Sequence, residues 1–328
     1  MKLILRSLLA SMALVTAACA ADANVKLTQL DDRVRVEIGG KLFTEYFFKG
    51  ATRPYCYPVL AADGTSLTRD FPMKQTDGEE TDHVHHRALM FAHSDVNKVD
   101  FWNEGTSGTK FPKGSTVHRD FVEVKSGKVG SIKARNDWTA PGGELIATDE
   151  TTIRFRGDAA SRMIDYEVTI HARPDKALVM GDNKDGTMSI RVAQWMTLPH
   201  KYMKKDVAGT GHYVTAAGER DAKAWGTRAA WCDLFAERDG KTYGIAIFDH
   251  PQNVRHPTWW MARDYGLFTA NPFGQKDFEV AAKHPPGKGD YTIPAGGTLT
   301  LRYRFYFHMG DEKAAKVAEH YADYAAGK

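Results

Sequence analysis

Residues 298–308 read TLTLRYRFYFH. Leu299, Leu301, Tyr303, Phe305 and Phe307 fall on one side of an extended chain, and Thr300, Arg302, Arg304, Tyr306 and His308 on the other. Alternation with a period of two marks a strand that buries one face. The same pattern recurs in Val34-Arg35-Val36-Glu37-Ile38 and in Ile164, Tyr166, Val168 and Ile170, with shorter examples at Ile153/Phe155, Ile190/Val192 and Ile245/Ile247. Glycine-rich punctuation separates these runs, and Asp239-Gly240 between two apolar stretches predicts a hairpin. One helix is predicted near the C-terminus, with Asp311 as N-cap and Ala314, Val317, Ala318, Tyr321 and Tyr324 at helical spacing. It is expected to pack on the outside of a sheet. No repeat or long polar linker interrupts the chain. The expected architecture is mostly β: a large antiparallel β-sandwich with a C-terminal helix, forming a single domain over residues 21–328.

The N-terminus carries a different signal. Lys2 and Arg6 precede the small and apolar run SLLASMALVTAA (7–18), which is followed by Ala18-Cys19-Ala20 and Ala21-Asp22-Ala23. A basic start, a short apolar stretch and small-x-small sites predict a signal peptide over residues 1–20, and hence a periplasmic or secreted protein. A lipid anchor at Cys19 ranks second, because Thr16 stands where a large aliphatic residue is expected. No other stretch approaches the ~18 uninterrupted apolar residues of a membrane span, so none is expected in the mature chain. Loss of Lys2 and Arg6 lowers the formal charge from +3 to +1. That balance argues against nucleic acid or an anionic membrane as partner. Cys56 and Cys232 would remain; an oxidising compartment permits a disulfide between them, and two buried thiols are an equal alternative. No CxxC, GxSxG, P-loop, HExxH or GxGxxG signature occurs.

Two segments carry the chemistry. The first is DHVHHR, residues 82–87. Extended, it would place His83 and His85 on one face, where an HxH pair can ligate a divalent metal with a third ligand from elsewhere. Alternatively, Asp82 orients a histidine acting as general base or acid, with His85 and His86 as the catalytic candidates and Arg87 as a substrate contact. The second is DHPQNVRHPTWWMARDYGLFTANPFG, residues 249–274. It predicts a stiff loop after a strand, with His250 and His256 as acid–base groups. Arg255 or Arg263 would hold a carboxylate or keto oxygen, Trp259 or Trp260 would stack on a sugar ring, and Asn271 is a further ligand contact. Trp102 and Glu104, between the two, are additional pocket candidates. The central expectation is that both histidine-rich segments line one cavity.

These motifs, with FAHSDVNKVDFW (91–102), GDNKDGTMSIRV (181–192) and AWGTRAAW (224–231), resemble DUF6807, a bacterial family also labelled "PmoA family". The resemblance spans most of the mature chain, and the 249–274 motif is its most specific part. The label is shared with a methane-monooxygenase subunit that is an integral membrane protein; a chain without apolar spans does not fit that role. The resemblance implies a galactose-mutarotase-like supersandwich and, by analogy of fold, a small carbohydrate ligand. The reading is therefore an exported carbohydrate-active protein, an enzyme acting on a sugar or keto-sugar as lyase, isomerase or hydrolase through a His/Arg/Asp pocket. The alternatives are a non-catalytic periplasmic carbohydrate-binding protein and a metal-binding structural protein.

Overall fold

A computed structural model describes residues 24–105, 110–285 and 287–328. The signal-peptide expectation over residues 1–20 lies outside the described residues. The described chain is dominated by two eight-stranded antiparallel sheets. The first runs, in spatial order, Val25–Gln29, Arg33–Ile38, Lys41–Phe47, Tyr55–Cys56, Leu89–His93, Gly186–Arg191, Leu267–Asn271 and Trp259–Ala262. The second runs Gly211–Thr215, Trp231–Arg238, Lys241–Asp249, Thr298–Met309, Arg162–Ala172, Leu145–Gly157, Gly130–Thr139 and Ser115–Lys125.

Alternation explains how the sheets pack. In the register Leu299↔Ile170, Leu301↔Val168, Tyr303↔Tyr166 and Phe305↔Ile164, every inward pair is apolar. These residues share one buried core with Val34, Val36 and Ile38 of the opposite sheet. Phe43 of the first sheet meets Phe155 and Phe307 of the second edge-on, at 6.3 and 5.7 Å. Burying a side chain of this size contributes about 2–3 kcal/mol. Asp239 and Gly240, both with positive φ, form the predicted two-residue turn that sets Arg238 opposite Lys241.

The helix begins later than its spacing predicts. The Asp311 carboxylate accepts from the Lys313 and Ala314 amides, but this closes only turns. Lys316 adopts a left-handed conformation (φ 53°), which no continuous helix tolerates, so the helix spans Val317–Ala325. It packs on the outer face of the second sheet through Tyr321 and Tyr324, against Phe248 and Tyr306. Cys56 and Cys232 are free, buried thiols. Among the described residues, no helix is long and apolar enough to cross a membrane.

Candidate functional site

The segment 82–87 is a turn, not a strand. His83 has φ 48°, and the His86 amide donates to its carbonyl at 3.0 Å. The turn therefore stacks His83 on His86, with centroids 4.6 Å apart and rings 4° from parallel. His85 stands edge-on to both. The HxH metal geometry expected from an extended chain is not formed. Among the described residues, no group of three His, Cys, Asp or Glu side chains is placed to hold a metal ion.

Three buried arginines impose this shape, because each needs acceptors for a full fork of donors. Arg69 donates to the carbonyls of Asp82 and His83, at 2.9 and 3.2 Å, and to the Asp82 carboxylate. Arg53 donates to the carbonyls of His85 and Trp102, at 3.0 and 2.6 Å. Arg191, at the end of a fully buried strand, reaches Glu80, Asp82 and Nδ1 of His86, each at 3.3 Å. An imidazole that accepts from guanidinium at Nδ1 carries its proton at Nε2.

The turn forms one wall of a cavity of about 310 Å³. His83, His85, His86, Trp102 and Asn103 line it from this side, Lys184 and Asp185 from a second turn, and Met261, Arg263, Tyr265 and Leu267 from the hairpin at the sheet edge. Gly266 closes that hairpin at φ +89°, and a Cβ there would lie 2.8 Å from Val192. Tyr265 gathers the charged groups. His83 stacks on its ring at 5.2 Å, Arg191 lies over it at 4.7 Å, and Arg263 at 5.1 Å. Arg263 also lies over Trp225 at 4.8 Å. Among the described residues, no carboxylate pairs with Arg263, and its Nε is buried without a hydrogen-bond partner.

Electrostatics keep the two inner imidazoles neutral. Burial, helped by His83 and Arg53, pushes His85 down to about 3. Burial and then Arg191 push His86 well below the ordinary histidine range. Burial alone would raise the Asp82 carboxyl, but the hydrogen bond to His83 and the guanidinium charges of Arg191 and Arg69 outweigh it and hold it below the usual range. Asp82 is thus an ionised partner for Nδ1 of His83, whose side chain is 38% exposed. Burial raises the Tyr265 hydroxyl, so it stays protonated and can donate.

The other sequence candidates lie elsewhere. Arg87 forms a bidentate pair with Glu104, whose carboxylate also reaches Arg53 at 3.4 Å; together they brace the turn from behind. Asn271 donates to the carbonyls of Asn183 and Lys184 and so holds the second turn. Trp259 is buried, with its indole N–H on Glu279. Arg255 donates to the carbonyls of Pro272 and Asp290. His256 is held by Asp249 at 2.7 Å, and His250 lines a different cavity with Tyr324. The expectation of one cavity for both histidine-rich segments is therefore corrected. Residues 250–257 follow a strand of the second sheet, and the chain returns to the first only at Trp259–Ala262. Only the part beyond that crossing, from Met261 onward, reaches the His83 turn.

Sequence reasoning missed Arg191, Lys184, Asp185 and Asn103 as lining or shaping groups. Arg191 was detectable as a charge closing an apolar strand. A larger open groove of about 520 Å³ lies beyond residues 76–79. Its Glu79 is occupied by the Asp70 and Phe71 amides, and no imidazole faces it.

The profile of the family described as "Family of unknown function (DUF6807)" matches residues 33–322. The chain belongs to this family. No curated protein matches this DUF6807 chain. Among solved structures, it is similar to the family 36 α-galactosidase AgaA of Geobacillus stearothermophilus in complex with raffinose. That match has a TM-score of 0.37 and 10% identity, and covers 88% of this chain and 40% of the other. It is also similar to a glycoside hydrolase family 97 enzyme of Pseudoalteromonas sp. strain K8 in complex with panose, with a TM-score of 0.29 and 8% identity, covering 87% and 34%. The DUF6807 chain thus spans less than half the length of either enzyme.

Proposed function

We propose that the His83 cavity binds a monosaccharide-sized sugar, keto-sugar or sugar acid and performs acid–base chemistry on it, in a protein exported through its N-terminal signal sequence. The observation that carries this reading is the pairing at Tyr265. An aspartate-oriented, partly exposed imidazole and an arginine that has no carboxylate partner among the described residues pack on the same ring. His83 is positioned to take a proton from the carbon beside a carbonyl. The electron pair left behind moves onto the carbonyl oxygen, where Arg263 supplies the positive charge. Return of the proton at the former carbonyl carbon, with the neighbouring hydroxyl passing its proton to the enolate oxygen, gives isomerisation; collapse of the enolate with expulsion of an oxygen substituent from the next carbon, which leaves with the abstracted proton, gives elimination. His86, neutral with its proton at Nε2, and the Tyr265 hydroxyl donate hydrogen bonds without adding charge. A flat indole (Trp102) and an aliphatic side chain (Leu267) beside many donors suit a polyhydroxylated ring better than a purely apolar ligand.

The test uses protein recovered from the periplasmic fraction of a Gram-negative expression host; retention in the cytoplasm would count against export. Keto-sugars, uronic acids and oligosaccharides are incubated with it in D2O, and mass spectrometry reads deuterium uptake or product. Wild type should label or convert at least one substrate, and His83→Gln should lose about 100-fold or more, the usual worth of a general base. Binding without turnover, equal in wild type and His83→Gln, would leave a binding protein in place of an enzyme.

A further inference from the structure

The loop that does not reach the His83 cavity borders a second one, of about 370 Å³, on the outer face of the second sheet. Three adjacent strands build its floor. Register sets Arg154 opposite Asp165 and Asp165 opposite Arg304, with Glu167 opposite Arg302 one step along. Their neighbours Phe155, Ile164, Tyr166 and Tyr303 face the core, so the ionic residues share the outward face. Four guanidiniums, counting Arg156, thus meet two side-chain carboxylates, and Arg304 also reaches the main-chain oxygen of Lys328 at 3.5 Å. Asp165 takes Arg156 and Arg304, and Glu167 takes Arg302 at 2.7 Å. Among the described residues, Arg154 has no acidic partner.

The rim adds donors. Nδ1 of His250 accepts from the Gln252 amide at 3.1 Å, so its proton sits at Nε2. His250 lies edge-on to Tyr324 at 5.2 Å, and Arg304 lies over that ring at 4.6 Å. Tyr324 is only 7% exposed, yet its hydroxyl has no hydrogen-bond partner among the described residues. A buried hydroxyl without a partner, beside an excess of guanidinium charge, is a site short of acceptors.

We propose that this cavity binds a compact oxyanion, a sulfate, phosphate or carboxylate group, either free or carried on a saccharide. The oxyanion supplies the acceptors that the two carboxylates cannot, in the forked geometry that arginine favours. The site is separate from the His83 cavity and stands whether or not that cavity turns over a sugar.

Calorimetric titration of the full chain tests it, with sodium sulfate, sodium phosphate, D-glucuronate and glucose 6-sulfate as probes. Each is run near ~20 mM and near ~300 mM sodium chloride, because partly exposed charge pairs weaken as the screening length shortens. At least one probe should bind at low salt and more weakly at high salt. Arg154→Ala, at an exposed position, should weaken binding about tenfold, the worth of one charge-assisted pair. Arg154→Ala/Arg156→Gln should abolish the binding of sulfate and phosphate, which His83→Gln should leave unchanged. Tighter binding of glucose 6-sulfate than of sulfate, or of glucuronate than of both inorganic anions, lost in the double variant and kept in His83→Gln, would identify a sugar-borne group; equal binding would identify the free ion. No heat with any probe, or unchanged titration of the double variant, overturns the proposal.

Discussion

At His85 and His86, burial and nearby positive charge act in the same direction: both disfavour the imidazolium. The folded protein therefore holds fewer protons at these two positions than the unfolded chain, where histidine titrates near 6.5. Stability from this source is present above that value and is lost as pH falls, continuing toward the folded value of about 3 at His85. Between pH 7.5 and 5 carboxylates stay largely ionised, so histidines dominate the slope. Each fully differing proton contributes up to about 1.4 kcal/mol per pH unit. Urea unfolding at a series of pH values should show wild type losing stability across this window. His86→Gln should show a shallower slope, because glutamine can still accept from Arg191 but does not titrate. A slope equal to that of wild type would mean that His86 is protonated, or exposed, in the folded state.

Among the elements, the strands were the most legible in the sequence. Val34–Ile38, Ile164–Ile170 and Leu299–Phe307 each betray an inward face by their own alternation, and Asp239-Gly240 betrays its turn by local backbone preference. What the sequence could not show was the demand of distant buried groups. The shape of residues 82–87 is dictated by Arg53, Arg69 and Arg191, the last more than 100 positions away in the chain. The late start of the helix likewise turns on a single left-handed residue, Lys316. The brace behind the His83 turn makes such a demand measurable. Arg53 is fully buried, and burial pushes its guanidinium down to about 10 against the opposing charge of Glu104. Glu104→Gln removes that charge and leaves Arg53 and Arg87 facing neutral acceptors only. Breaking a buried pair at one end costs about 3–5 kcal/mol. Urea unfolding should show a loss of that order, and a change below about 1 kcal/mol would mean that neutral acceptors satisfy both guanidiniums.

Taken whole, the molecule places one thiol in each sheet and both in the shared core. Cys56 lies on a short strand of the first sheet, and Cys232 on Trp231–Arg238 of the second. Burial pushes the Cys56 thiol up to about 12 and raises Cys232 as well, so neither offers a thiolate at neutral pH. Alkylation must then wait until the core opens. This makes the pair a reporter of cooperativity. If the chain is one domain, as we propose, the sheets cannot part without exposing both inner faces, and both thiols become reactive in the same event. Iodoacetamide labelling in sub-denaturing urea, followed by peptide mass spectrometry, should give the same rate at Cys56 and Cys232, with the same urea dependence. If the sheets formed separate cooperative units, one cysteine would label ahead of the other with a shallower urea dependence. The interlocked contacts of Phe43 with Phe155 and Phe307 argue for coincidence, because peeling either sheet away uncovers aromatic surface on both sides of the same interface.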